Sequence, residues 1–245
     1  ATLATPTRIL AADDSLIATL YEENRQPVTL DQISPHMQDA LISVEDSRYY
    51  EHGGVDMQGI LGALASNVSK GTNRGASTIT QQFVTNVLAN GARERGEEAV
   101  YNGSKNVSDK VREVRLAIAV ENEMTKDDIL EGYFNIVSFT GSTYGVQAAA
   151  KYLFNVDAKD LSIQQSALLA GLVKGPSVYD PVTNPDLAVE RRNVVLGTML
   201  EHGKIDQAQY DAAVASGLDL AITPTRQGCV AAEQAPYFCS YVEHL

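Results

Sequence analysis

Along most of this chain, apolar residues recur at the three- and four-residue spacing of one helix face, with polar caps where the runs begin. Ser34-Pro35 supplies an N-cap followed by proline at the first helical position, and Met37, Ala40, Leu41 and Val44 then predict a helix that delivers Glu45 near its C-terminal end. Thr125 with Asp128 forms a capping-box pattern before Ile129, Leu130 and Tyr133. Ser162 with Gln165 does so before Ala167 to Leu172, and Asp206 with Gln209 before Ala212 and Val214, with Gly217 as the stop. Two further helices are expected, one from Ser108 to Met124 with Val111, Val114 and Ile118 on one stripe, the other from about Leu187 to His202. The β-prone runs Thr7 to Leu10 and Leu16 to Tyr21, parted by Asp13-Asp14, predict a hairpin. The polar insert from Asn90 to Asp109 predicts a mobile loop, and Phe83, Val84, Val87 and Leu88 just before it form an apolar stripe. The fold expected is therefore mainly α.

With 245 residues, 44% of them hydrophobic, the chain is long enough to bury a substantial core. Its longest apolar stretch, around Ala167 to Val173, falls far short of the roughly 20 residues that cross a bilayer. No basic and apolar leader opens the sequence, so any targeting or anchoring segment is expected outside these residues. The net charge of −12 argues against nucleic acid as a partner, because phosphate neutralisation needs a basic face. Cys229 and Cys239 sit close together near Gly228 and Pro236; a disulfide is preferred over two free thiols, and the spacing does not suit zinc.

Candidate chemistry is concentrated in blocks: VEDSRYYEHGGVD at 44–56, RGASTITQQ at 74–82, DKVRE at 109–113 and KDDILEGYFN at 126–135. Each has a bland explanation as a solvated helix end, a set of capping hydroxyls or a charged helix face. Together they also meet the needs of glycosyl transfer. A sugar hydroxyl is a poor nucleophile at neutral pH, so attack on an anomeric carbon calls for a carboxylate base. Glu45 suits that role, because the negative end of its helix and the adjacent Asp46 would both disfavour its ionisation unless a basic neighbour offsets them. A diphosphate leaving group needs N–H groups, hydroxyls, amides and cations, which Gly75 to Phe83 together with Arg74, Lys110 and Arg112 would supply.

These blocks, in this order, resemble the peptidoglycan glycosyltransferase domain of class A penicillin-binding proteins and of monofunctional cell-wall transglycosylases. Segments 141–154, 161–181 and 184–193 extend the likeness over nearly the whole chain. The resemblance implies a lysozyme-like, two-lobed fold that polymerises a lipid-linked disaccharide, lipid II, into β-1,4 glycan with inversion. It places the catalytic carboxylates at Glu45 and Glu113. The donor site falls on Ser77, Thr78, Gln81, Gln82, Lys110 and Arg112, and Asp46 and His52 support the first carboxylate. No cofactor is obligatory; a divalent cation, Mg2+ or Mn2+, is permitted. The family pattern usually has a lysine where Thr85 stands, so donor-diphosphate affinity turns on whether Arg93, Arg95 or Lys105 reaches in. Asp109 replaces a common basic residue, Tyr49 a phenylalanine and Phe134 a leucine.

The organisation implied is a hairpin extension over 1–30, a glycosyltransferase domain over 31–220, and a linker over 221–245 toward a transpeptidase domain. Expected partners are lipid II, nascent glycan and, through the Phe83 to Leu88 stripe, the outer face of the cell membrane, with phosphoglycolipid (moenomycin-like) antibiotics as inhibitors. The competing readings are a hydrolase of finished glycan and a catalytically inert scaffold.

Overall fold

The computed structural model describes residues 7–20, 24–59, 77–95, 107–141, 143–223, 229 and 235–243. Strands β1 (Thr7–Leu10) and β2 (Leu16–Leu20) form the antiparallel hairpin. Its turn is closed by Asp14 at φ 63° and by Ser15, which donates to the Asp13 carboxylate from both its amide and its hydroxyl. A second small sheet has the order β3 (Asn24–Arg25), β5 (Thr143–Tyr144), β4 (Ser138–Thr140). The helices are α1 (Pro35–Glu45), α2 (Ile79–Glu94), α3 (Val107–Glu123), α4 (Lys126–Ile136), α5 (Val146–Phe154), α6 (Ile163–Leu172), α7 (Pro185–Glu201), α8 (Gln207–Ala215) and α9 (Pro236–Glu243). The mainly α, lysozyme-like fold read from the sequence is the fold observed, and the three predicted capping boxes close at Thr125, Ser162 and Asp206.

Helix α6 lies at the centre, against both α1 and α7. Ser166 to Leu172 are all buried, so it is apolar around its whole circumference, as a helix enclosed by others must be. Its small residues allow close approach: a Cβ on Gly171 would lie 3.0 Å from Arg191 Cγ, so the glycine makes room for the Arg191 stem. Helix α2 packs on α3 and α4, and Ile79, Ile129, Leu130 and Tyr133 from this group join Met37, Leu41, Leu168 and Leu196 in one continuous core.

Several expectations are corrected. The predicted loop over 90–109 is shorter, because α2 runs on to Glu94 and α3 begins at Val107; residues 96–106 lie outside the described residues. Polar composition misled here, since Asn90 is buried with its amide oxygen accepting from Arg25 Nη2 at 2.8 Å. The Phe83 to Leu88 stripe is not a free lipid-facing surface. Val84 is buried, and the Phe83 ring packs against the core and Gly132, whose missing side chain leaves room for it. On α3 the Val111 and Ile118 side chains face outward while Glu113 and Ala117 are buried. The inner face must stay thin, because Gly54 approaches so closely that a Cβ there would sit 2.9 Å from the Ile118 amide nitrogen.

Arg25, in the segment expected as an extension, is buried in the main body, donating to the carbonyls of Asn135 and Ile136. Residues beyond 220 also attach: the amides of Ala221 and Thr223 donate to the Leu153 and Tyr152 carbonyls, and the Cys229–Cys239 disulfide packs on Ile17 and Ala18 of β2. No helix among the described residues is long and apolar enough to cross a membrane.

Buried Arg192 ties α7 to the end of α8, donating to the carbonyls of Val214, Ser216 and Gly217. The charged donor itself is buried, and removing it takes away all three bonds, so Arg192→Met is expected to lower unfolding free energy by about 3 kcal/mol, read from chemical denaturation.

Candidate functional site

Asp46 caps α1 and is buried, and its carboxylate does two structural jobs. Oδ2 accepts from the Ile79 amide at 3.1 Å, which places an anion at the positive start of α2, and Oδ1 lies 2.7 Å from His52 Nε2. The last turn of α1 and the first turn of α2 are thereby joined. Thr78, the α2 N-cap, accepts from the Gln81 amide and donates its hydroxyl to the Gly54 carbonyl, which also receives Gln81 Nε2. Gly54 holds φ 67°, a conformation that suits glycine, and this adds to its close approach to α3.

From that join α2 extends Gln81, Gln82 and Thr85 along a pocket of about 320 Å³, lined also by Ser77, Lys110, Glu113 and Tyr133. At one pole Glu45 Oε2 accepts from Gln82 Nε2 at 2.8 Å, and Arg191 Nη2 stands 3.8 Å from Oε1. The Gln82 carbonyl oxygen accepts from the Tyr133 hydroxyl at 2.8 Å. Burial, with the Glu45 charge as the lesser cause, pushes the Tyr133 phenol well above its ordinary pKa, so it stays a donor.

At the other pole Lys110 Nζ reaches Ser77 Oγ at 2.8 Å, Gln81 Oε1 at 2.9 Å and Glu113 Oε2 at 3.3 Å. The remaining oxygen of Glu113 accepts from Thr85 Oγ1 at 3.0 Å. Glu113 is buried, whereas the Lys110 side chain is 41% exposed, so the cation and not the carboxylate faces an incoming ligand.

The structure therefore gathers Ser77, Gln81, Gln82, Lys110 and Glu113 around one pocket, and Glu45, which does not itself line it, is joined to its Gln82 wall by a hydrogen bond. Asp46, His52 and Thr78 stand behind it as the frame that starts α2, with their polar atoms turned to protein or buried. Arg112 is exposed on α3 and is not among the pocket-lining residues. Arg93 stacks over Tyr144 and donates to its hydroxyl, on the far end of α2. Arg74, Gly75, Ala76 and Lys105 lie outside the described residues. Tyr49 and Phe134 are both fully buried, the Tyr49 hydroxyl donating to the Lys126 carbonyl at 2.7 Å.

Sequence reading missed Arg191 and Tyr133 as neighbours of Glu45. Arg191 is the basic neighbour whose absence the electrostatic expectation for Glu45 required, and Asp46 turns its charge toward Ile79 and His52 instead. No spacing links residue 191 to residue 45; the Arg191-Arg192 pair within one helix was the available signal.

Among the described residues, the pocket's donor set does not form a cage for a resident divalent cation. Such ions take several oxygen ligands, and both Glu113 oxygens are engaged by Thr85 and Lys110. Asp46, His52 and Asp56 also cluster, with candidate ligand atoms within 4.8 Å of one another, but Asp46 holds the Ile79 amide and Asp56 pairs with Arg48 and the Gly59 amide.

Comparison with known proteins follows the same region. Residues 13–200 match the family model described as Transglycosylase. Penicillin-binding protein 1A of Escherichia coli is 44% identical over 210 residues, 85% of this chain and 23% of the relative. Penicillin-binding protein 1F of Bacillus subtilis is 35% identical over 237 residues, 96% of this chain and 30% of the relative. This chain thus spans about a quarter of the length of such relatives. The crystal structure of penicillin-binding protein 1A from Haemophilus influenzae superposes over 100% of this chain and 24% of its own, with a TM-score of 0.54 at 23% identity, a likeness of fold.

Thr78 tests the division between frame and pocket. Thr78→Ala is expected to cost about 1–2 kcal/mol of stability in chemical denaturation, and Thr78→Ser to retain it. A ligand-binding role would instead weaken precursor binding at unchanged stability.

Proposed function

Since the chain belongs to the transglycosylase family and is a peptidoglycan glycosyltransferase domain of the class A penicillin-binding protein type, we propose that it polymerises lipid II, with Glu45 as the base. The observation that carries this reading is that Gln82, a wall of the α2-lined pocket, donates to Glu45, while the adjacent Gln81 accepts from Lys110 in the same pocket.

In the proposed reaction the C4 hydroxyl of the acceptor sugar gives its proton to Glu45 while its oxygen bonds to the donor's anomeric carbon. The bond from that carbon to the diphosphate oxygen breaks, and undecaprenyl diphosphate leaves with the electron pair. In-line displacement inverts the centre, turning an α-diphosphate into a β-1,4 linkage. Lys110, with Ser77 and Gln81 fixing its ammonium, offsets the charge that develops on the leaving group. Glu113 holds Lys110 in place from below, and Thr85 fixes that carboxylate. A divalent cation on the diphosphate would be carried by the substrate; no step is assigned to it.

The wider setting belongs to the same proposal. The longer polypeptide would carry a membrane anchor and a transpeptidase domain, and this domain would work at the outer face of the cell membrane. The exposed parts of Val87 and Leu88 are what remains of the apolar stripe for membrane contact. Phosphoglycolipid antibiotics would compete at the Lys110 pole. A glycan hydrolase would need paired carboxylates but not an ammonium held among a hydroxyl and an amide, and this favours synthesis over cleavage.

Incubation with lipid II is expected to give polymer, whereas a hydrolase would shorten finished glycan and a scaffold would bind without turnover. Glu45→Gln is expected to lower turnover by roughly 100-fold or more with precursor binding preserved. Polymerisation at more than about a tenth of the wild-type rate in that variant would remove the base assignment.

A further inference from the structure

We propose that Tyr133 is a positioning residue for Glu45, holding the Gln82 amide in the one orientation that donates to the carboxylate. This rests on the reading of Glu45 as base and extends it to a residue on a third helix. Tyr133 belongs to α4, Gln82 to α2 and Glu45 to α1, and two hydrogen bonds of 2.8 Å join them in series.

A primary amide has an acceptor end and a donor end, and the two are interchanged by a half-turn of its terminal torsion. The Tyr133 ring is fully buried, edge-on to Phe134, so its hydroxyl has a fixed direction. Burial and the nearby Glu45 charge keep the phenol protonated, which makes it a standing donor. The carbonyl end of Gln82 faces Tyr133, the orientation that gives the buried phenol hydrogen its acceptor, and the NH2 end is left to face Glu45.

The consequence appears after proton transfer. While Glu45 is ionised, its own charge favours the observed amide orientation. Once it carries a proton, its O–H becomes a donor and would draw the Gln82 carbonyl round toward itself. Tyr133 opposes that turn, because it would leave the buried phenol hydrogen facing an amide NH2. Glu45 is thus returned to one geometry after each transfer. Gln82 occupies Oε2, and Arg191 lies beyond hydrogen-bond distance of Oε1, so the structure assigns Oε1 as the oxygen that accepts the proton.

Turnover of lipid II by the full chain would be measured for Tyr133→Phe, Gln82→Met and the double variant, with thermal unfolding to confirm folding. Each single change is expected to lower kcat by about tenfold with KM within about twofold, and the double variant to match the weaker single within about twofold. Losses that multiply, a rise in KM at constant kcat, or wild-type kcat in Tyr133→Phe would each overturn the proposal. Multiplying losses would mean that Tyr133 touches substrate on its own account. If the phenylalanine variant does not fold, Gln82→Glu takes its place, since it keeps an acceptor for Tyr133 and removes the donor facing Glu45. There a tenfold or larger fall in kcat is expected, and a change within about twofold overturns the proposal. Glu45→Gln measured in parallel separates the two readings. Turnover retained in it removes the base, whereas turnover lost in it but unchanged in Tyr133→Phe removes only the positioning role.

Discussion

The hydrogen bond from the Ile79 amide to the buried Asp46 carboxylate is the join on which the site depends. It fastens the first free N–H of α2 to the residue that follows Glu45, so the end of one helix sets the start of the next. His52 holds the second Asp46 oxygen, and Thr78 with Gly54 completes the corner. Because α2 leaves that corner in a fixed direction, Gln82 falls against Glu45 and Gln81 against Lys110.

The pocket sets polar side chains against a buried inner wall, and this decides how its charges behave. Overall the protein is acidic, with a net charge of −12, so an anionic diphosphate would meet general repulsion. Lys110 answers this locally. Its ammonium has two neutral acceptors, Ser77 and Gln81, and one carboxylate, so its charge is only partly offset inside the protein. Thr85 contributes by taking the other Glu113 oxygen, and Lys110 is the cation among the described pocket-lining residues.

At the opposite pole the arrangement is asymmetric in a useful way. One Glu45 oxygen is hydrogen-bonded to a neutral amide, and the other faces a guanidinium 3.8 Å away. Gly171 makes room for the Arg191 stem against α6, and its carbonyl accepts from Arg191 Nε at 3.4 Å, so a packing feature of the central helix places the guanidinium beside Glu45 on the neighbouring α1.

Much of the fold was legible in the chain itself. Capping boxes at Thr125, Ser162 and Asp206 and the Asp13-Asp14 turn were legible because local hydrogen bonding decides them and its donors and acceptors lie within a few residues, and the start of α1 was legible from proline at its first position. The pairing of carboxylate, amide and lysine blocks was also readable as chemistry. What sequence pattern could not assign was direction. It did not show that Phe83 and Val84 pack inward, that Val111 and Ile118 point outward, or that Asn90 is buried on Arg25, since each follows from what another helix brings to that face. Nor could it pair Glu45 with Arg191 or place Tyr133 behind Gln82. The sequence by itself determined which segments are helical and which residue types are available for reaction. Only the tertiary structure decided which of those side chains meet, because charge and hydrogen bonding act over a few ångströms in space and carry no trace in the spacing along the chain.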